Sequence, residues 1–171
     1  TVLDTEGPRG DLYFGMHTKT TGDLNGDSYP DAIVAGATEG EPLVWYQMPE
    51  ATKNIISTLG GWSTDAKVGD VDNDGDMDVV ISSWYRSDQG IEWFENLGGG
   101  ADWQHHFIGG PQAHNIELVD LDLDGRLDIV TRLQGQEGNA VQVWRQENPQ
   151  SWTQRTLTDG VPSGEGLTVA V

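Results

Sequence analysis

The stretch that decides the fold is Asp70-Val71-Asp72-Asn73-Asp74-Gly75-Asp76-Met77-Asp78, which runs directly into the apolar Val79-Val80-Ile81. Carboxylates at positions 1, 3, 5 and 9 with glycine at 6 are the parts of a tight, oxygen-rich cation loop. The glycine admits a positive-φ turn, the alternate side chains turn their oxygens inward, and position 7 offers a backbone carbonyl. The pattern returns as Asp120-Leu121-Asp122-Leu123-Asp124-Gly125-Arg126-Leu127-Asp128 and, more loosely, as Asp23-Leu24-Asn25-Gly26-Asp27-Ser28-Tyr29-Pro30-Asp31. The candidate side-chain ligands are therefore Asp70, Asp72, Asp74 and Asp78; Asp120, Asp122, Asp124 and Asp128; and Asp23, Asn25, Asp27 and Asp31. Carbonyls of Asp76, Arg126 and Tyr29 complete the three shells. A hard cation fits such donors, and the expected cofactor is Ca²⁺ at three sites.

Two other readings compete. An EF-hand needs a Glu at position 12 and flanking helices, but position 12 here is Val34, Ile81 or Thr131 and β-formers follow each loop. An ion-free Asp/Gly turn is the second, since these residues favour turns in any case. Against it, four carboxylates gathered on one turn repel one another without a cation. The first loop carries less of that argument: Asn25 removes a charge, and Ser28 stands where glycine is easiest.

The loops recur at 47 and then 50 residues, a period typical of propellers and solenoids. After each loop comes a β-forming run (Asp31 to Ala35, Asp78 to Ser82, Asp128 to Leu133), a turn, and a Trp-bearing run around Trp45, Trp93 or Trp144. Another strand starts near Asn54, Trp103 or Trp152, and a last one (Ala66 to Val68, Ile116 to Val119) feeds the next loop. Four short strands per repeat without helical periodicity predict an all-β fold, a β-propeller of four-stranded antiparallel blades. The recurring tryptophans read as one repeated core position between blades, whereas Trp62 and Trp84 lack counterparts and are the better functional candidates.

On these motifs the chain resembles the FG-GAP, or VCBS-type, calcium-binding β-propeller repeats, also found in integrin α-chain heads and in fungal and bacterial lectins. The motifs are Gly22-Asp23 to Val34, Gly69-Asp70 to Val80 and Val119-Asp120 to Val130, with Trp93 to Asn96 and the run from Trp103 similar to secreted bacterial members. The resemblance implies a calcium-stabilised extracellular or periplasmic module for binding or adhesion, with glycan or an extracellular protein as partner. It leans away from catalysis. Its alternatives are the propeller domain of a secreted polysaccharide lyase or sugar dehydratase, active on the channel rim, and a pure scaffold.

The expected division is 1–10 as the outer strand of one blade, three blades at 11–60, 61–110 and 111–160, and 161–171 as the inner strand of another. Thr1 to Thr5 resembles Arg155 to Asp159, and Gly164 to Val171 resembles a strand entering an Asp loop. Such an arc predicts a ring closed by further chain or by a second copy.

Composition narrows the partners. A formal charge of −19 with nine Lys and Arg excludes the basic clusters that nucleic acid requires, and no apolar run is long enough for membrane insertion. There is no cysteine, so neither a disulfide framework nor a thiolate site exists. For a ligand site, His17, Thr64 and His114 each lie six residues before a loop, and Glu165 joins them if another loop follows Val171. These four would begin the inner strands around a channel, where Trp84 and Arg86 could join them. His105 and His106 are strand neighbours facing opposite ways and make a poor metal pair. Arg9-Gly10-Asp11 is a weak match to an integrin-recognised tripeptide.

Overall fold

Among the described residues, runs of β-branched and aromatic residues between Asp/Gly turns form twelve strands, and no helix occurs. The computed structural model describes residues 16–38, 40–84, 88–134, 139–160 and 167–169, and of 16–18 the backbone alone. In chain order the strands are β1 (Met16–Gly22), β2 (Asp31–Gly36), β3 (Leu43–Gln47), β4 (Thr52–Ser57), β5 (Trp62–Gly69) and β6 (Asp78–Ser83). They continue as β7 (Ile91–Asn96), β8 (Trp103–Gly109), β9 (Asn115–Val119), β10 (Asp128–Arg132), β11 (Val141–Asn148) and β12 (Ser151–Thr158). Consecutive strands pair antiparallel into three four-stranded meanders, β1 to β4, β5 to β8 and β9 to β12. Each Asp loop joins the first strand of its sheet to the second, as the hydrophobic pattern requires.

The cores lie between sheets. Ile33, Leu43, Trp45 and Ile56 of the first sheet meet Trp62, Val79, Ile81 and Phe94 of the second. On its other face the second sheet places Val80, Ile91 and Trp93 against Ile116, Ile129 and Trp144 of the third. The middle sheet is thus covered twice, and all six residues of β6 are buried. Each large aliphatic side chain so covered stabilises by about 1.5–3 kcal/mol. Close approach depends on glycines: a Cβ on Gly100 would stand 2.7 Å from Trp45 Cζ2, and one on Gly109 would stand 2.6 Å from Trp144 Cζ3.

The register corrects one expectation. Ile33 lies opposite Trp45 and Val80 opposite Trp93, but the matching Val130 lies opposite Val143, and Trp144 lies opposite Ile129. Trp144 therefore corresponds to Phe94 and Tyr46, which lie opposite Val79 and Ala32. Counted from the last Asp of each loop, the tryptophan falls 14, 15 and 16 residues on. A longer β6–β7 connection absorbs one step; the other turns Trp144 to the opposite face, because side chains alternate with period two. All three tryptophans are core, but they do not share one place in the repeat. Trp62 is also core: it is fully buried and meets Phe94 edge-on at 5.6 Å.

Residues 1–15, with Arg9-Gly10-Asp11 and the expected outer strand, lie outside the described residues, as do Arg86 and Glu165. Of the final segment only 167–169 is described, and it takes no strand.

Candidate metal centres

One hydrogen-bond plan builds all three loops. The position-1 carboxylate accepts the N–H of position 5 on one oxygen: Asp27 to Asp23 at 3.1 Å, Asp74 to Asp70 at 3.0 Å and Asp124 to Asp120 at 3.0 Å. Its other oxygen accepts position 6, from Ser28, Gly75 and Gly125 at 2.8, 3.1 and 2.8 Å. The position-5 carboxylate takes the N–H of position 7, from Tyr29, Asp76 and Arg126. Asn25 and Asp72 at position 3 accept the position-5 N–H at 3.2 Å.

Two left-handed residues fold each loop. Position 6 is left-handed as expected, at Ser28 (φ 71°), Gly75 (100°) and Gly125 (86°). Position 4 is left-handed too, at Gly26 (74°), Asn73 (62°) and Leu123 (60°). That second turn was not legible, since its residue types differ; Leu123 is disfavoured there and is 82% exposed.

Position 9 fastens the loop to the sheet. Asp31, Asp78 and Asp128 are buried, and one oxygen of each accepts the N–H of position 2, from Leu24, Val71 and Leu121 at 3.0, 2.9 and 3.1 Å. The other accepts the N–H of a residue near the end of the third strand, from Met48, Asn96 and Gln146 at 3.0, 2.8 and 3.0 Å. Each carboxylate oxygen has a second lone pair left for an ion.

The loops differ in how their charge is met. In the second, oxygens of Asp70, Asp72 and Asp78 lie within 4.8 Å of one another, and no ion pair reaches them among the described residues. Burial pushes Asp78 up to about 7 despite the N–H groups of Asn96 and Val71. Asp72 is raised too, by burial and then by the charge of Asp74. In the third, Asp120, Asp122 and Asp124 converge, but Arg145 pairs with Asp122 at 2.6 Å and Arg126 pairs with Asp124. Asp124 is held low: the N–H and guanidinium of Arg126, with Arg145, outweigh its desolvation. Burial raises Asp128. Among the described residues, the first loop brings no three carboxylates so close together. Its Asp27 is lowered by the Tyr29 N–H and then by Asn25, whose amide donates at 2.9 Å. The acidic groups of the second and third loops could hold a metal ion, and their donor set of hard oxygens suits one.

The candidate ligand residues are brought together in part. The Thr64 hydroxyl donates to the His114 carbonyl at 2.6 Å, and the Trp84 ring meets the His114 imidazole edge-on at 6.3 Å. The backbone of His17 lies in β1. His105 and His106 turn to opposite faces, stacking on Phe94 and Trp93 and pairing with Glu92 (2.7 Å) and Glu95 (2.6 Å).

Three antiparallel four-stranded meanders with their cores between sheets define a protein of the β-propeller type, in blade-like units. Residues 23–81 match the family model described as the FG-GAP-like repeat. The match runs from the first loop through the second and into β6, one full period and the loop that opens the next. No curated protein matches the chain.

Proposed function

We propose that this chain is a calcium-stabilised extracellular propeller module for binding or adhesion, with glycan as the ligand class. The observation that carries the calcium reading is the second loop, where carboxylates converge without a cationic partner among the described residues and burial disfavours their charge. Asp70, Asp72, Asp74 and Asp78, with the Asp76 carbonyl, would hold the ion there, and Asp120, Asp122, Asp124 and Asp128, with the Arg126 carbonyl, would do so in the third loop. The first loop would use Asp23, Asn25, Asp27, Asp31 and the Tyr29 carbonyl. The ion would supply the counter-charge that lets a buried carboxylate stay ionised. Sites of moderate affinity fill where calcium is plentiful, which favours an extracellular or periplasmic setting. No helix of the described residues is long and apolar enough to cross a membrane.

The glycan reading rests on the exposed rings of Tyr29, on the first loop, and Phe107, on an outer strand. A second ligand site is favoured by the Trp84, Thr64 and His114 cluster at the start of the inner strands. The third sheet also presents a face suited to another sheet: Leu121 is 39% and Leu157 55% exposed. Their counterparts Leu24 and Ile56 are buried beneath the second sheet. Further chain or a second copy would cover that face. A glycan array probed with the calcium-loaded protein tests the ligand class: calcium-dependent retention on defined glycans supports it, and an empty array removes it.

A further inference from the structure

We propose that Asn96 and Gln146 couple the loops to one another, so that cations bind with positive cooperativity. This rests on the reading of the loops as cation sites. Asn96 ends β7 and Gln146 lies two residues before the end of β11, and each serves two loops at once. The Asn96 N–H donates to Asp78 of its own loop at 2.8 Å, while its Nδ2 donates to the Leu24 carbonyl of the first loop at 2.8 Å. The Gln146 N–H donates to Asp128 at 3.0 Å, while its Nε2 donates to the Val71 carbonyl of the second loop at 2.9 Å.

The bonds join end to end. Val71 is the hinge: its N–H donates to Asp78 at 2.9 Å and its carbonyl accepts from Gln146. The path therefore runs from Leu24 through Asn96, Asp78, Val71 and Gln146 to Asp128, and on to the Leu121 N–H. From Leu24 to Asp128 every member is buried. In such low-dielectric surroundings hydrogen-bonded groups polarise one another and no water stands by to replace a lost partner. An ion that draws in the Asp78 carboxylate fixes the Val71 N–H and, through the Val71 Cα, the next peptide, whose carbonyl Gln146 holds. Gln146 in turn positions the N–H that holds Asp128. The third loop is then partly ordered before its own ion arrives. A thinner link runs over the loop tips, where Asn73 Nδ2 donates to the Gly125 carbonyl at 3.1 Å. In the first sheet Met48 occupies the corresponding place; its N–H holds Asp31, but its side chain carries no amide.

Coupling is reciprocal, so filling either the second or the third loop should raise the affinity of the other by at least about fivefold, the lower end of usual site-to-site coupling. The probe is calcium itself, titrated by calorimetry into chelator-stripped protein. The wild type should give a cooperative isotherm. The paired substitution Asn96→Met with Gln146→Met, which copies the side chain of Met48 at both places, should keep the stoichiometry and lose the cooperativity, which merely structural residues would not do. Gln146→Met alone should lose only the coupling of the second and third loops. Should the paired variant fail to fold, Asp124→Ala protein serves instead, followed by amide hydrogen exchange. Calcium entering the second loop should then slow exchange at Gln146 and Leu121. A non-cooperative wild-type isotherm, cooperativity that survives the paired substitution, or exchange at those amides unchanged by calcium overturns the coupling and leaves the cation reading standing. Absence of calcium uptake removes both.

Discussion

Gly99 and Gly100 are neighbours with the same backbone requirement and different surroundings, so alanine at each separates two costs. Both are left-handed, at φ 65° and 71°. A Cβ on Gly99 meets nothing within 4 Å, whereas one on Gly100 stands 2.7 Å from Trp45 Cζ2 and 3.3 Å from the Leu24 carbonyl. The conformational cost, about 1–2 kcal/mol, is shared, and a stiffer unfolded chain returns about 0.4–1 kcal/mol of it to both variants. Gly100→Ala adds overpacking against a ring with no room to move, about 1–3 kcal/mol. For a chain of this size about 2 kcal/mol lowers Tm by roughly 4–8 °C. Thermal unfolding followed by far-ultraviolet circular dichroism and by tryptophan fluorescence should place Gly100→Ala several degrees below Gly99→Ala. Equal melting temperatures would refute the packing of the first sheet on the second through Trp45.

Other expectations concern the loops. Leu123→Asn should raise stability by about 1 kcal/mol in chemical denaturation, because asparagine tolerates the left-handed conformation, as Asn73 shows, and little burial is lost. In EDTA the protein should be more stable at pH 5 than at pH 7.5: burial raises the folded-state pKa of Asp78 to about 7, so its contribution is complete below the ordinary carboxylate range and is lost as pH rises toward 7. Melting curves across that range should flatten in Asp78→Asn. Arg145→Ala should tighten calcium binding at the third loop several-fold by calorimetry, because it removes the guanidinium that pairs with Asp122.

The strands and loops were legible because each repeat writes them in the same residue types at nearly the same spacing. Where the residue type varies, the pattern hides. The left-handed position 4 is Gly26, Asn73 or Leu123, and the position near the end of the third strand that holds Asp31, Asp78 or Asp128 is Met48, Asn96 or Gln146. No local motif joins Gln146 to Val71, because that bond crosses between sheets. Trp144 misled for a different reason: a shift of one residue keeps a tryptophan in the core while moving it to the other face. Trp62 lacks a counterpart, and that suggested function, yet it fills the space beside Phe94. The competition of Arg145 and Arg126 for the third loop likewise needed the fold, since Arg145 lies on β11, far along the chain from Asp122.

The central claim is that calcium in the Asp loops holds the sheets in place, and scanning calorimetry in EDTA against increasing calcium tests it most directly. An ion bound only by the folded chain adds about 2.7 kcal/mol per site at a hundred times its dissociation constant. Tm should climb with calcium concentration, and Asp74→Ala should blunt the climb more than Asn25→Ala does. A Tm identical in EDTA and in millimolar calcium would contradict the claim.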